Sequence, residues 1–153
     1  MVRVQDVMTL RVETVGPEMP AQTAWQRMQM EGMHHLVVMR EQQVVGLFSD
    51  RDAGSRRGTA LRKGRTVGEL MTAKPLTIRP DTPVRKAANL MRGRSIGSLV
   101  VTDAGGRLVG IVTVSDLLEL LGRGVDHPVA VTHRWTLKHR APHKKRHRAT
   151  GAW

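Results

Sequence analysis

The sequence predicts an α/β (α+β) fold built from two βαββα units that pack together with pseudo-twofold symmetry. The chain of 153 residues repeats itself at an offset of 63 residues, and both copies show the same order of strand-like and helix-like patterns. Hydrophobic residues make up 40% of the chain and cysteine is absent, which indicates a buried core that holds without disulfides. Because one unit alone leaves a sheet face uncovered, we expect the two units to cover each other.

The repeat is clearest over its first half. Between positions 7 and 39, 10 of 33 residues are identical to those 63 positions later, where chance gives about two. The offset then becomes 64, and the additional residue falls in the turn-forming segment 103–107, whose glycines suit the positive φ of a hairpin. The identical positions are Met8-Thr9 with Met71-Thr72, Thr14 with Thr77, Pro17 with Pro80, Pro20 with Pro83, Ala24 with Ala87, Met28 with Met91, and Leu36-Val37-Val38 with Leu99-Val100-Val101.

Each copy opens with a short strand and a helix. The strand is Thr14-Val15 in the first copy and Thr77-Ile78 in the second. A Pro-acid-x-x-Pro segment follows, which favours a helix start and places an acid near the positive end of the helix dipole. In both copies an alanine and a methionine are four residues apart, and this spacing predicts helices from Ala21 to Glu31 and from Val84 to Arg92.

Each copy continues with a hairpin and a second helix. Runs of aliphatic residues predict paired strands at 36–39 and 44–48, and again at 99–102 and 108–112. A residue type that caps helices well, Ser49 in the first copy and Thr113 in the second, predicts that a second helix begins there.

The repeat divides the chain into domain one at residues 1–62, domain two at 63–121 and a basic tail at 122–153. The tail holds eight Lys and Arg residues against one acid, so it supplies +7 of the total charge of +12. Binding to nucleic acid phosphates, docking on an acidic partner and a solvated extension all remain open for the tail. Its apolar segments 129–131 and 135–137 are candidates for a strand or an anchor against the core.

One motif stands at the end of the hairpin in both copies, at 46–52 and 110–116. It is a glycine, two apolar residues, a serine or threonine, two variable residues and an aspartate. The glycine allows another backbone or a ligand to approach the strand. The hydroxyl and the first-turn N–H groups form an anion site, and the aspartate one turn further on is able to accept hydrogen bonds from a ribose diol. The same residue types also serve as ordinary helix caps, and both interpretations stay open.

With the paired Leu-Val-Val strands and the Met-Thr lead-ins, the two motifs resemble those of the cystathionine-β-synthase (CBS) domain family. The resemblance runs from about Val2 to Leu121, and the chain is similar to a stand-alone tandem CBS pair, or Bateman module. It implies a non-catalytic regulatory module that binds an adenosine-containing ligand and signals to a regulated protein in trans. AMP, ADP, ATP, NAD and S-adenosylmethionine all remain candidate ligands. The resemblance also implies homodimers formed through helix faces, for which the methionine-rich helix (Met28, Met30, Met33) is a candidate.

The resemblance implies two clefts, each of which combines the motif of one repeat with the lead-in strand of the other. Cleft one is expected to use Ser49 and Asp52, and cleft two Thr113 and Asp116. Around them, the resemblance assigns the base-binding walls and the phosphate contacts. The candidate binding residues of cleft one are Ser49, Arg51, Asp52, Thr77, Ile78, Ile96, Ser98 and Val100. Those of cleft two are Thr14, Val15, Thr113, Asp116 and the segment Met33 to Val37, which contains Met33, His34, His35 and Val37.

The two clefts are not equivalent before the central strand. Repeat one has His34 and His35 at the positions where the resemblance implies phosphate-binding basic residues, whereas repeat two has Gly97 and Ser98. Cleft one is therefore expected to bind anions better, with an affinity that depends on pH because histidine titrates near neutrality. Asp50 is expected to oppose a highly charged ligand there.

One departure concerns the base-binding wall. Many family members carry a proline in the central strand, where this chain has Val37 and Val100. The change keeps the wall apolar and restores a backbone N–H, so base contacts are expected to differ in detail.

Composition sets other functions aside. Aromatic residues make up only 3% of the chain, so no stacking platform for bases is expected. The chain has no Walker loop, no Gly-x-Gly-x-x-Gly and no activated nucleophile, and we predict no catalysis, no catalytic cofactor and no metal site. Without a transmembrane-length apolar segment or a visible signal peptide, a cytoplasmic protein that does not bind membranes is expected. The alternative function is binding of nucleic acid or an acidic partner by the basic tail, with the CBS pair as a dimer scaffold.

Overall fold

A computed structural model describes residues 1–124 of the chain. Two small sheets carry short helices, and the strands and helices repeat in the predicted order except after Ser49. No helix in this part of the chain combines the length and apolarity needed to cross a membrane. In chain order the elements are α1 (Val4–Val7), β1 (Thr14–Val15), α2 (Ala21–Glu31), β2 (His35–Arg40), β3 (Gln43–Ser49), a 3-10 turn (Ser55–Arg57), α3 (Thr59–Arg62), α4 (Val67–Leu70), β4 (Thr72–Ala73), β5 (Thr77–Ile78), α5 (Val84–Arg94), β6 (Ser98–Thr102), β7 (Leu108–Thr113) and α6 (Val114–Arg123).

The two sheets share a three-stranded topology, to which the first sheet adds β4. In the first sheet β1 runs parallel to β2, β2 antiparallel to β3, and β3 antiparallel to β4. In the second, β5 runs parallel to β6 and β6 antiparallel to β7. The registers also correspond, since Thr14 lies opposite Val37 as Thr77 lies opposite Val100. The predicted fold of two related mixed units is therefore confirmed.

The first helix of each unit is built as the sequence predicts. Ala24 and Met28 in α2 and Ala87 and Met91 in α5 are buried, so the predicted face packs against the sheet. Helix α2 has the predicted bounds, while α5 continues two residues past Arg92.

Two hairpins differ in how they reverse the chain. The 103–107 turn reverses through Gly106 at φ 81°, as its glycines predict. In the other hairpin the non-glycine residues Glu41 and Gln42 adopt positive φ values of 49° and 69°. Within the 103–107 turn, the backbone N–H groups of Arg107 and Gly105 donate to the Asp103 carboxylate. These bonds, of which the one from Arg107 has the larger effect, hold the pKa of that carboxyl below its usual range.

We call the segment from α1 to Thr9 the lead-in of the first repeat and the segment from α4 to Thr72 the lead-in of the second. Each lead-in packs in the core of the other repeat. From α1 and the residue after it, Val4, Val7 and Met8 are buried in one cluster with the helices and strands of the second repeat, including Leu99 and Leu120. Val67 of α4 lies in the cluster of the first repeat, against residues such as Phe48, and Met71 packs on its edge. Neither core is complete without a segment from the other repeat.

Two glycines make this exchange possible. A Cβ on Gly110 would lie 2.7 Å from the carbonyl oxygen of Thr9, whose backbone pairs with Ile111 through N–H to O distances of 2.8 and 3.0 Å. A Cβ on Gly46 would collide with the side chain of Met71. The motif glycine therefore admits the lead-in of the other repeat, which is the close backbone approach that the sequence predicts.

A third apolar cluster joins the two sheets. It consists of Val37 from β2, Leu47 from β3, Val100 from β6 and Ile111 from β7, all of which are buried. The equivalent central strands thus meet at the centre of the pair, which is the mutual covering expected of two such units.

The prediction that a second helix begins at Ser49 is wrong for repeat one. Residues 50–54 form a turn, followed by the 3-10 turn and the four-residue α3. Gly54 at φ 79° and Ser55 at φ 55° adopt left-handed backbone conformations, which end the first helical turn. In repeat two no such break occurs, and α6 begins after Thr113 as predicted.

Arg62 stabilises the segment that replaces this helix. It is one of the largest fully buried side chains, and burial lowers the pKa of its guanidinium. Its Nη1 donates to the carbonyl oxygens of Ala53 and Ser55 at 2.7 and 2.6 Å, and the guanidinium stacks 4.5 Å from the centre of the Trp25 ring. The arginine therefore ties the turn after Ser49 to helix α2.

Two substitutions of the same kind test the exchange of lead-ins. Gly110→Ala should destabilise the fold by about 1–3 kcal/mol, because the added methyl meets the Thr9 backbone. Gly93→Ala should stabilise it by about 0.5–1 kcal/mol, because a Cβ at this helical position meets no atom within 4 Å. Chemical denaturation of both variants measures the difference, and equal effects of the two substitutions would contradict the packing described.

Candidate functional site

The motif of repeat two forms a closed polar junction at the start of α6. Thr113 caps the helix: its Oγ1 accepts from the N–H of Asp116 at 3.3 Å, and its own N–H donates to Asp116 Oδ2 at 2.9 Å. The aspartate is 5% exposed. The junction thus uses the hydroxyl and carboxylate as a reciprocal helix cap.

The motif of repeat one has the same bonds in a more open setting. Ser49 donates to Asp52 Oδ2 from its N–H at 3.0 Å and from its Oγ at 3.1 Å, and the Asp52 N–H donates back to Oγ at 3.2 Å. Asp52 is half-buried. The reciprocal bonds of a helix cap are therefore formed in both repeats, around the start of α6 in repeat two and around the turn 50–54 in repeat one, and they fix the orientation of both carboxylates.

Each carboxylate also accepts a hydrogen bond from the other repeat's lead-in. Thr9 Oγ1 donates to Asp116 Oδ1 at 3.2 Å, and Thr72 Oγ1 donates to Asp52 Oδ1 at 3.2 Å. Sequence reasoning did not assign these threonines to the site. Their signal is that Met8-Thr9 and Met71-Thr72 are identical pairs in the repeat and contribute to the family resemblance, but the spacing does not show that their hydroxyls reach the aspartates.

The crossing segments connect each junction to the strand that the sequence assigned to the same cleft. From Thr9 the chain runs through residues 10–13 into β1, and from Thr72 it runs through 73–76 into β5. Thr14 and Thr77 at these strands are exposed, while Val15 and Ile78 are buried. Each predicted cleft therefore joins a motif to a strand that lies a few residues beyond the threonine bonded to it.

The remaining candidate residues divide by exposure. Ser98, Val37 and Val100 are buried on the central strands β2 and β6, and Val37 and Val100 belong to the apolar cluster between the two sheets. Met33 is also buried, and Ile96 is half-buried against the second core. Arg51 is exposed.

The histidines of repeat one are not simply a basic pair. His34 Nδ1 lies 2.6 Å from Asp50 Oδ2, so the carboxylate offsets any charge on that ring. The other carboxylate oxygen, Asp50 Oδ1, is buried and has no hydrogen-bond partner in the described part of the chain. His35 is half-buried, opposite Ser49 in the β2–β3 pairing. The expected positive charge at cleft one is therefore reduced by the same aspartate that the sequence analysis set against it.

The predictions for the tail concern residues 122–153, of which 125–153 lie outside the described residues. What the described part defines is a tandem pair of βαββα domains with interlocked cores and two equivalent Ser/Thr–Asp junctions. The chain belongs to the CBS domain family, whose profile matches residues 4–53 and 67–123.

Relatives of similar length carry the same domain. The chain is 33% identical over 132 residues to a CBS domain-containing protein of Dictyostelium discoideum, covering 78% of this chain and 91% of that protein. It is 32% identical over 115 residues to the CBS domain-containing protein YhcV of Bacillus subtilis, covering 74% and 81%. A homoserine O-acetyltransferase of Methanococcoides burtonii is 35% identical over 120 residues, but the chain spans only 24% of that enzyme.

Solved CBS pairs share the fold. The chain matches CBSX2, a CBS-pair protein of Arabidopsis thaliana, in its complex with AMP, with a TM-score of 0.71 and 27% identity over 83% of this chain and all of that chain. It matches the CBS domain pair of protein MJ0100 in complex with 5'-methylthioadenosine and S-adenosyl-L-methionine, with a TM-score of 0.72 and 26% identity over 80% and 98% of the two chains.

The threonine bonds predict a difference between the two junctions. Thr9→Val keeps the shape of the side chain but leaves a buried carboxylate short of a donor, so it should cost about 1–3 kcal/mol of folding stability. Thr72→Val removes the equivalent bond where water replaces it, and should cost no more than about 1 kcal/mol. Urea denaturation of the two variants makes the comparison, and a larger loss in Thr72→Val would count against the closed geometry of the second junction.

Proposed function

We propose that this chain is a regulatory CBS pair that binds an adenosine-containing ligand between its repeats and acts on a partner protein in trans. One observation carries the proposal: each motif aspartate is fixed by the serine or threonine of its own repeat and by a threonine from the other repeat. The solved relatives that hold AMP, 5'-methylthioadenosine or S-adenosyl-L-methionine support this ligand class. CBS pairs are regulatory modules, and the enzymes among the relatives carry the pair as part of a longer chain.

The carboxylates suit a ribose for a chemical reason. A carboxylate accepts two neighbouring hydroxyl donors, and its remaining lone pairs at Asp52 and Asp116 are oriented by bonds that the protein already makes. The strands beside the crossing segments are aliphatic, and because Val37 and Val100 are fully buried, a base contacts them only after a local opening. A ligand held in this way contacts both repeats, so its binding energy depends on how the repeats are arranged.

Cleft one is proposed to bind first. Asp52 is half-buried and Thr72 is exposed, whereas Asp116 is 5% exposed and Thr9 is buried with it. A ribose diol therefore reaches Asp52 by displacing only the hydroxyl of the exposed Thr72, while access to Asp116 requires a local opening. This ranking agrees with the one drawn from the sequence, but the support for it is accessibility and no longer the charge of His34.

Substitution of the two aspartates tests the function and the ranking. Asp52→Asn should weaken binding of the preferred adenosine ligand by about 10- to 100-fold, because a neutral amide replaces a charged acceptor and adds a donor. Asp116→Asn should leave the tighter of the two binding affinities, which is assigned to cleft one, largely unchanged. Titration calorimetry with AMP, ATP and S-adenosylmethionine, at about 150 mM salt, gives both affinities.

The control for this test is Asp81→Asn, which removes an exposed carboxylate outside the motifs. GTP and pyrophosphate serve as ligand controls, because they share the phosphates without the adenosine. Equal binding of pyrophosphate and AMP, unchanged in Asp52→Asn, would show that the protein collects anions only and would overturn the proposal.

We further propose that the outer face of α6 is the homodimer face. Val114, Leu118 and Leu121 lie on one side of this helix at spacings of four and three residues, and they are 44%, 62% and 65% exposed. The opposite side of α6 buries Leu120 in the core. A surface helix that is apolar on the exposed side as well as on the buried side indicates that the exposed side packs against another molecule. In a twofold dimer, the stripe of one chain lies against the same stripe of a second copy.

Leu118→Lys should convert a dimer to a monomer, because it places a charge at the centre of the stripe. Light scattering behind size exclusion measures the mass. The methionine-rich helix of the sequence analysis offers no such stripe, because Met28 and Met33 are buried and Met30 alone of the three is exposed, at 84%. Met30→Lys is therefore the matched control, and it should leave the mass unaltered; a monomer in Met30→Lys would return the dimer face to α2. If the wild-type chain is a monomer at tens of micromolar, the α6 stripe does not mediate self-association.

A further inference from the structure

The outer face of α5 is cationic where the outer face of α2 is neutral. The two helices occupy equivalent places in their repeats, so their surface positions compare directly at the offset of 63 residues. We call the four positions on this side of α5 the α5 face. They are Arg85, Lys86, Asn89 and Arg92, and the equivalent positions of α2 are Gln22, Thr23, Gln26 and Gln29.

The α5 face is a single continuous surface. At 100° per residue its four side chains fall on the side of the helix opposite the buried Ala87 and Met91, and all four are exposed. Arg85 and Arg92 are separated by about 10 Å along the helix axis. Beside them lies an open depression of about 340 Å³, lined by Pro83, Arg85, Lys86, Asn89 and Leu90.

The cations of the α5 face have no carboxylate partner among residues 1–124. Other surface arginines do, as in Arg27 with Glu13 at 2.6 Å and Arg107 with Asp103 at 3.1 Å. The only side-chain bond described for the face is from Arg92 Nη2 to Asn89 Oδ1 at 3.4 Å. Neighbouring like charges on one helix face destabilise it, and the neutral face of α2 shows that the fold does not need them. An anionic partner gives the charges a role.

We propose that the α5 face binds the phosphate backbone of duplex nucleic acid, separately from the two clefts. Arginine and lysine on one helix face neutralise phosphates without reading base sequence. A protein partner would call for an apolar anchor at the centre of its interface. The large exposed apolar residues of the described chain are Met1, Leu10, Met30, Leu61, Val114, Leu118 and Leu121, none of which lies on α5.

The choice of a duplex over a single strand follows from the aromatic residues. Binding of single strands relies on bases stacked on exposed rings. Trp25 and Phe48 are the rings within residues 1–124, and both are buried. Contact with a double-stranded backbone needs no such ring. The charge of +12 on the whole chain adds a long-range attraction that is likewise independent of sequence.

The test replaces the α5 face by its counterpart from repeat one, with the full chain used throughout. The variant Arg85→Gln/Lys86→Thr/Arg92→Gln carries the residues that α2 already tolerates at the same places. Binding to a labelled 20-base-pair duplex is followed by fluorescence anisotropy across a salt series. We expect at least a tenfold loss of affinity at low salt and a fall of about 2 to 3 in the slope of log K against log salt.

A charge-matched control separates the face from net charge. Arg56→Gln/Arg57→Gln/Lys63→Gln removes three exposed cations from the 3-10 turn and α3 region of repeat one, and leaves the α5 face intact. It should keep most of the affinity and of the slope. Thermal unfolding and binding of AMP should be unaltered in the α5 variant, so failure of this inference is distinguishable from failure of the cleft proposal.

Three outcomes would overturn the assignment. Equal losses in the two triple variants would mean that only total charge matters. Unchanged binding in the α5 variant would place the contact elsewhere, including the basic tail. Tighter binding of polyglutamate than of the duplex, lost in the α5 variant, would assign the face to an acidic protein.

Discussion

The structure depends on the close approach of each lead-in to the central hairpin of the opposite repeat. Gly46 and Gly110 are the positions where this approach occurs, and a side chain at either would meet Met71 or the Thr9 backbone. The approach brings α1 into the second core and α4 into the first. It therefore makes the two repeats one folding unit, because separating them would expose apolar side chains in both.

The same exchange creates the candidate site. A motif aspartate at the end of its own hairpin would meet only its cap, but the incoming lead-in adds a threonine donor and then continues as the crossing segment into the first strand of its own repeat. The polar junction, the crossing segment and the apolar strand come together at one place because a single chain passes through all three. Fold and site thus have one cause, which explains why the motif glycine and the motif aspartate belong to the same seven-residue pattern.

The sequence predicts the elements from local spacing, whereas the crossing between repeats is implied only by the family resemblance, which pairs the motif of one repeat with the first strand of the other and does not say which core receives α1 or α4. The repeat, the helix faces of Ala24 and Met28, and the hairpins follow from local spacing, which is the information a sequence carries directly. An identical Met-Thr pair in both copies is compatible with packing on either repeat, so symmetry itself hides which core receives it. The missing helix after Ser49 has a different origin: Gly54 and Ser55 adopt positive φ, and the buried Arg62 bonds to carbonyl oxygens that a continuous helix would have used. That arginine lies outside the aligned motif, so pattern matching between the copies could not reveal it.

Magnitudes limit how a ligand of the proposed class could change this molecule. Withdrawing α1 would expose Val4, Val7 and Met8, at about 1.5–3 kcal/mol for each side chain. Coupling between a ligand and a distant site is typically about 1–3 kcal/mol in total, so the interlocked cores stay together whether or not a ligand is bound. The response is then confined to parts with little buried apolar surface, above all the crossing segments 10–13 and 73–76. These segments begin at the threonines that share the aspartates with the ligand, and the first of them also holds Glu13 in its ion pairs with Arg27 and Arg11. This fold is therefore suited to a signal in which hydrogen bonds to Asp52 and Asp116 are exchanged between threonine and ligand while the two apolar cores stay in place.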